Sequence, residues 1–153
     1  MTRLAREPAP SASVLTLVRL RDQLNDLTVA ILPSRTPLFQ RVSLALPDVD
    51  GSPELAFIRT ASWLYVHYFE AGQVGVRFLV RRNATVAPVG HGDLHLHVVH
   101  ALRTWAQHNI NPTSESDVAV AETCEQWFER ACGTRVPRTD EHWKALLDAL
   151  LSE

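Results

Sequence analysis

PELAFIRTASWLYVHYFE, residues Pro53–Glu70, is apolar on nearly every side of a helix: Leu55, Phe57, Ile58, Ala61, Leu64, Tyr65, Tyr68 and Phe69 leave little of its circumference to polar groups. Proline suits the first helical position, where its missing N–H costs no hydrogen bond and its fixed φ is already helical. A helix that is apolar all round belongs among other helices rather than on a surface. The stretch therefore predicts a central, buried helix, and with it an all-α fold around one core.

Upstream, Leu17, Leu20, Leu24, Leu27 and Ile31 recur at alternating steps of three and four, which is one face of an amphipathic helix. Ser11 or Ser13 is a suitable N-cap, and Pro33 ends the pattern. Residues 1–10, with Pro8 and Pro10 and no periodicity, read as a flexible N-terminal arm before a single domain over 11–153. Between Pro33 and Pro53 lie Pro37, Pro47 and the turn-like Asp48-Val-Asp-Gly51. A structureless connection of that length is uncommon in a compact domain, so Leu38–Leu46 is expected to form a short surface helix.

Downstream, Gly72 and Gly75 loosen the pattern, and Val74, Val76, Phe78 and Val80 then alternate with Gly75, Arg77, Leu79 and Arg81 as a strand would. A lone strand has nothing to pair with, so residues 73–82 are read as a helical continuation after a break. Asn83–Gly92, with Pro88 and Gly90, is a loop. A helix over Asp93–Ile110, capped by Asp93, places Leu94, Val98, Ala101, Leu102 and Trp105 on its buried face and stops at Asn111-Pro112. Thr113–Asp117 opens another, which carries Val118, Ala121, Cys124, Trp127, Phe128 and Ala131 to Gly133. The last begins at Thr139-Asp-Glu and turns Trp143, Leu146, Leu147 and Leu150 inward. The sum is a compact bundle of about five helices.

At 153 residues and 46% hydrophobic content the chain is large enough for one respectable core. Its net charge of −2 creates no global field toward nucleic acid, so any contact with RNA must be local. Lys144 is the only lysine among many arginines, a bias that base composition explains better than phosphate recognition does. Cys124 and Cys132, eight positions apart in a helical pattern, have Cα atoms about 12 Å apart, too far for a disulfide within that helix. They read as small core residues of a reducing compartment, or as one buried and one free thiol. No apolar run is long enough to span a bilayer, and Met1–Glu7 lacks a signal-peptide core, so a cytoplasmic location is expected.

HALRTWAQHN, residues His100–Asn109, carries the chemistry. Arg103 offers a permanent cation with a planar donor fork, and His108 is a side chain that titrates near neutral pH. Together they suit a site that handles phosphate. On an ideal helix His100, Arg103 and Gln107 point away from the apolar stripe, and His108 lies on the flank about 140° from Arg103. Arg, four residues, His, followed by Asn109 near a helix end, resembles the signature of the HEPN family of small helical proteins, many of them ribonucleases. Arg135 and His142 fit a looser spacing, but Pro137 between them interrupts any shared helix.

The resemblance implies a homodimer in which two copies of the motif helix face one another, with Arg103 and His108 of both subunits lining one cleft. His108 would act as general base or acid in attack of an RNA 2′-hydroxyl on the adjacent phosphate, and Arg103 would stabilise charge on the phosphoryl oxygens. No metal and no cofactor is required. His100, one turn before Arg103, together with Thr104 and Asn109, is a candidate supporting residue. The family commonly has Asn, Asp or His after the arginine where this chain has Thr104, and relatives that only bind partners are known. By analogy the chain is a toxin or antiphage endoribonuclease with an antitoxin or defence-system partner. The rival reading is a non-catalytic module that docks onto a nucleotidyltransferase, an ATPase or another defence subunit.

Arg77, Arg81 and Arg82 form the densest basic group and are weak candidates for RNA contact. His91, His95, His97 and His100 have spacings that can turn two imidazoles toward zinc, yet Asp93 is the only nearby carboxylate and no cysteine is close. They are read as polar surface, and no metal site is expected.

Overall fold

The computed structural model describes residues 11–34, 36–40, 45–83 and 91–152, and every regular element among them is helical. Helix α1 spans Ala12–Ile31 and α2 spans Pro53–Tyr65; a π-helical stretch, Val66–Ala71, extends α2 before Gly72. Then come α3 (Gln73–Asn83), α4 (His91–Gln107), α5 (Glu115–Cys132) and α6 (Asp140–Ser152). The expected bundle of about five helices thus has six α-helices among the described residues, with the continuation after Gly72 as a helix of its own. The arm over 1–10 and most of the Asn83–Gly92 loop lie outside the described residues, as does the middle of the helix expected over Leu38–Leu46. The described ends of that segment are not helical.

Local chemistry sets the helix ends. Ser11 caps α1 by accepting from the Val14 amide at 3.2 Å, and Ser114 caps α5 by accepting from Asp117. Gly133 closes α5 in the left-handed conformation at φ 81°, which a side chain would resist. Pro53 opens α2 as expected.

Helix α2 is the hub and packs against α4 and α6, while α5 packs against both of those helices. Phe57 is fully buried, with ring centroids of Trp143, Trp127 and Phe128 at 5.6, 6.1 and 6.3 Å. Truncating such a ring typically costs about 3–5 kcal/mol. Leu64, Val99, Leu102, Leu146 and Leu150 complete the layer around it.

Helix α1 departs from its expected orientation. Val14 is fully buried, and Leu17 and Val18 pack on the core, but Leu20, Leu27 and Ile31 are 55%, 57% and 67% exposed. The second half of α1 meets a non-helical strap, residues 36–40, instead of the bundle. Asn25 donates to the Phe39 carbonyl at 3.0 Å and accepts from the Phe39 amide at 2.8 Å. The next amide, Gln40, donates to the Ala71 carbonyl at 2.7 Å. So clamped, Phe39 stacks on His67 at 5.0 Å, and Trp63 stacks on the same imidazole at 5.1 Å. The glycines after the π-helical stretch make room for the strap: a Cβ on Gly75 would lie 2.5 Å from the Leu38 carbonyl oxygen.

No helix among the described residues is long and apolar enough to cross a membrane.

Candidate active site at the end of α4

The seating of α4 decides where its polar side chains go. Its buried stripe is His95, Val98, Val99 and Leu102, at steps of three, one and three, with Ala101 buried beside it and Trp105 edge-on to Phe128 at 5.1 Å. Leu94, expected on this face, is 65% exposed, because the helix is rotated so that His95 rather than Leu94 faces inward, against Tyr68 of the π-helical stretch. The His95 ring stands edge-on to Tyr68, with Nε2 3.5 Å from the phenol oxygen. Burial pushes the Tyr68 hydroxyl up to about 12. His95 is thus core, not the polar surface that its neighbours in sequence suggested.

Arg103 and His108 meet. Guanidinium Nη1 lies 2.6 Å from His108 Nε2. The 140° between them on an ideal helix is overcome because α4 ends at Gln107, one residue before the imidazole, and the long arginine arm reaches along the last turn. Guanidinium nitrogens only donate, so Nε2 must offer its lone pair and the proton of a neutral ring sits on Nδ1. The arginine is held from its other side by Tyr65, whose ring centroid is 4.9 Å from Cζ, a cation–π contact.

Further support comes from α2 and the π-helical stretch. Tyr65 stacks on Phe69 at 4.9 Å, and His100 leans on both rings at 5.7 and 5.5 Å. Gln107 donates to Ser62 Oγ at 2.7 Å. The face of α4 expected to point away from the protein is therefore engaged on one side by its own chain. A helix packed between α2 and α5 keeps only a narrow outward strip. Thr104 lies on that strip; its hydroxyl donates to the His100 carbonyl at 3.0 Å and keeps its oxygen lone pairs for another partner. Asn109 is exposed beyond the helix end.

This arrangement sets a fixed cation against an imidazole at an exposed helix end. His108 is exposed and Arg103 half-buried. Tyr65 and Phe69 were missed as site residues because they read as core, and Ser62 belonged to no pattern that singled it out. Their spacing on one helical face, 62, 65 and 69, was the available signal.

Arg77 and Arg81, four apart on α3, line a groove of about 910 Å³ together with His97 and His100. The side chain of Arg82 lies outside the described residues. Sequence spacing alone had no means of joining α3 to α4. Among the described residues no group of three His, Cys, Asp or Glu side chains is placed to hold a metal ion. Cys124 is buried, and burial pushes its thiol up to about 12; Cys132 is half-buried, and both are free thiols.

Compared with protein-family models, with characterised proteins and with solved structures, the chain matches none.

Proposed function

We propose that this chain is a HEPN-like, metal-independent endoribonuclease of a toxin–antitoxin or antiphage system, acting as a homodimer with Arg103 and His108 at the shared cleft. The observation that carries the reading is the 2.6 Å contact between Arg103 Nη1 and His108 Nε2. In this reading the exposed His108 exchanges its Nε2 bond to Arg103 for an RNA 2′-hydroxyl and takes that proton as the oxygen attacks the adjacent phosphorus. The bond from phosphorus to the 5′-oxygen breaks, that oxygen takes a proton from water, and the product is a 2′,3′-cyclic phosphate. Arg103, steadied by Tyr65, stabilises the charge that builds on the phosphoryl oxygens. The guanidinium fork has further donors beyond the one spent on His108 with which to do so. His100, Thr104 and Asn109 border the same helix end as supporting groups.

A second reading, a non-catalytic module docking onto a nucleotidyltransferase, an ATPase or another defence subunit, is favoured by two observations. Thr104 follows the arginine where HEPN proteins commonly carry Asn, Asp or His. Gln107 and Arg103 also spend contacts on Ser62 and Tyr65 of their own chain.

The test is RNA cleavage in EDTA by the parent chain and by Arg103→Ala and His108→Ala. Cleavage ending in a cyclic phosphate, and falling about a hundredfold or more in each variant, is expected. Intact RNA with the parent chain selects the docking module; cleavage undiminished in both variants places the chemistry elsewhere.

A further inference from the structure

The groove beside the Arg–His pair has a floor, two walls and a sign of charge. Helix α4 is the floor, contributing Leu96, His97, His100 and Ala101. One wall is Phe69 with Arg77 and Arg81 of α3, and the other is α5, through Ala119 and Val120. Both arginines are exposed, and successive arginines four apart share one helical face. Among the described residues no Asp or Glu lines this groove, although the whole chain carries 17 of them against 15 Lys and Arg. The local charge thus opposes the net charge.

The groove also has a direction. Residues 97, 101 and 104 follow one another at steps of four and three, so they lie along one strip of α4, and His108 comes one residue after the helix ends. The first two line the groove. The strip continues through Thr104 toward His108, a rise of about 16 Å from His97 at 1.5 Å per residue. The line of α4 that forms the groove floor thus runs toward the exposed imidazole.

We propose that this groove binds a short stretch of single-stranded RNA, with its phosphates on Arg77 and Arg81 and its bases against Phe69 and the apolar floor, and that it delivers the strand to Arg103 and His108. The choice of RNA over another polyanion rests on the nuclease reading above; the choice of a single strand rests on the groove. Duplex RNA presents phosphates and hydroxyls outward and hides its base faces, which leaves the groove's Phe69, Leu96 and Val120 unused. A single strand exposes base faces to stack and a backbone to neutralise, the two surfaces that this groove offers side by side.

The experiment uses the full chain carrying His108→Ala, so that a bound strand is not cut, and a fluorescently labelled oligouridine read by anisotropy. The double substitution Arg77→Glu/Arg81→Glu is expected to weaken binding at least tenfold. It should also flatten the dependence of log affinity on log salt by about 1.4, two contacts at about 0.7 each for a single strand. Ala119→Trp, which fills the groove without touching charge, should weaken binding as well, while Arg19→Glu on α1 should not. Circular dichroism of each variant separates lost binding from lost folding. Unchanged affinity and salt slope in a folded Arg77→Glu/Arg81→Glu protein overturns the proposal. So does loss of binding to an acidic peptide with RNA binding intact, which would assign the groove to a protein partner. Tight, groove-dependent binding without cleavage by the parent chain would retire the nuclease reading and leave the groove standing; cleavage without groove-dependent binding would do the reverse.

Discussion

Asn25 of α1 holds both backbone polar groups of Phe39, accepting from its amide at 2.8 Å and donating to its carbonyl at 3.0 Å. One side-chain amide thus does for a non-helical strap what a neighbouring strand would do in a sheet. Asn25→Ala should cost about 1–3 kcal/mol, because it removes two hydrogen bonds at a partly buried site. Asn25→Asp should restore only part of that loss, since a carboxylate accepts from the amide but cannot donate to the carbonyl. Urea denaturation of the three proteins checks the order.

Gly75 lets the strap approach α3. Helix propensity alone favours alanine over glycine by about 1 kcal/mol. A Cβ there would nevertheless meet Leu38 Cγ and the Leu38 carbonyl oxygen at 2.5 Å each. The backbone contact cannot be relieved by a rotamer change, so Gly75→Ala should destabilise by about 1–3 kcal/mol rather than stabilise. A raised melting temperature would show that the strap does not press on α3.

His67 is 6% exposed against Phe39 and Trp63, and burial, aided by the Arg21 cation and opposed by Asp22, lowers it to about 4. The unfolded chain binds that proton near 6.5, so between these values the unfolded state holds more protons than the folded one. The stability contributed by the neutral ring is complete above about pH 6.5 and is lost as pH falls toward 4, by at most about 1.4 kcal/mol per unit. His67→Phe keeps the stack and should flatten this part of the stability–pH curve. An unchanged acid limb would show that other groups set it.

Thr60 is fully buried on α2, and its hydroxyl has no hydrogen-bond partner among the described residues. Thr60→Val keeps the shape and removes the unsatisfied group, so it should stabilise by up to about 1 kcal/mol. Thr60→Ala, which also removes a methyl group from the core, should not. A destabilised valine variant, seen by calorimetry, would mean that the hydroxyl finds a water.

Sequence by itself determined the class of fold and most helix ends, because both are written within a few residues of chain. The apolar circumference of Pro53–Glu70 is a property of one turn repeated, and Ser11, Ser114 and Gly133 act on amides and carbonyls three or four residues away. The pairing of Arg103 with His108 was half legible in the same way, as a spacing along one helix. Tertiary structure decided the rotation of each helix and the company of each polar group. It exposed Leu20, Leu27 and Ile31 while burying His95, and it placed Tyr65 under Arg103. It also set Arg77 and Arg81 across from α5. A helix's hydrophobic period says that one side is buried but leaves its rotation free over tens of degrees, and only the neighbours that fill the space around it choose the angle.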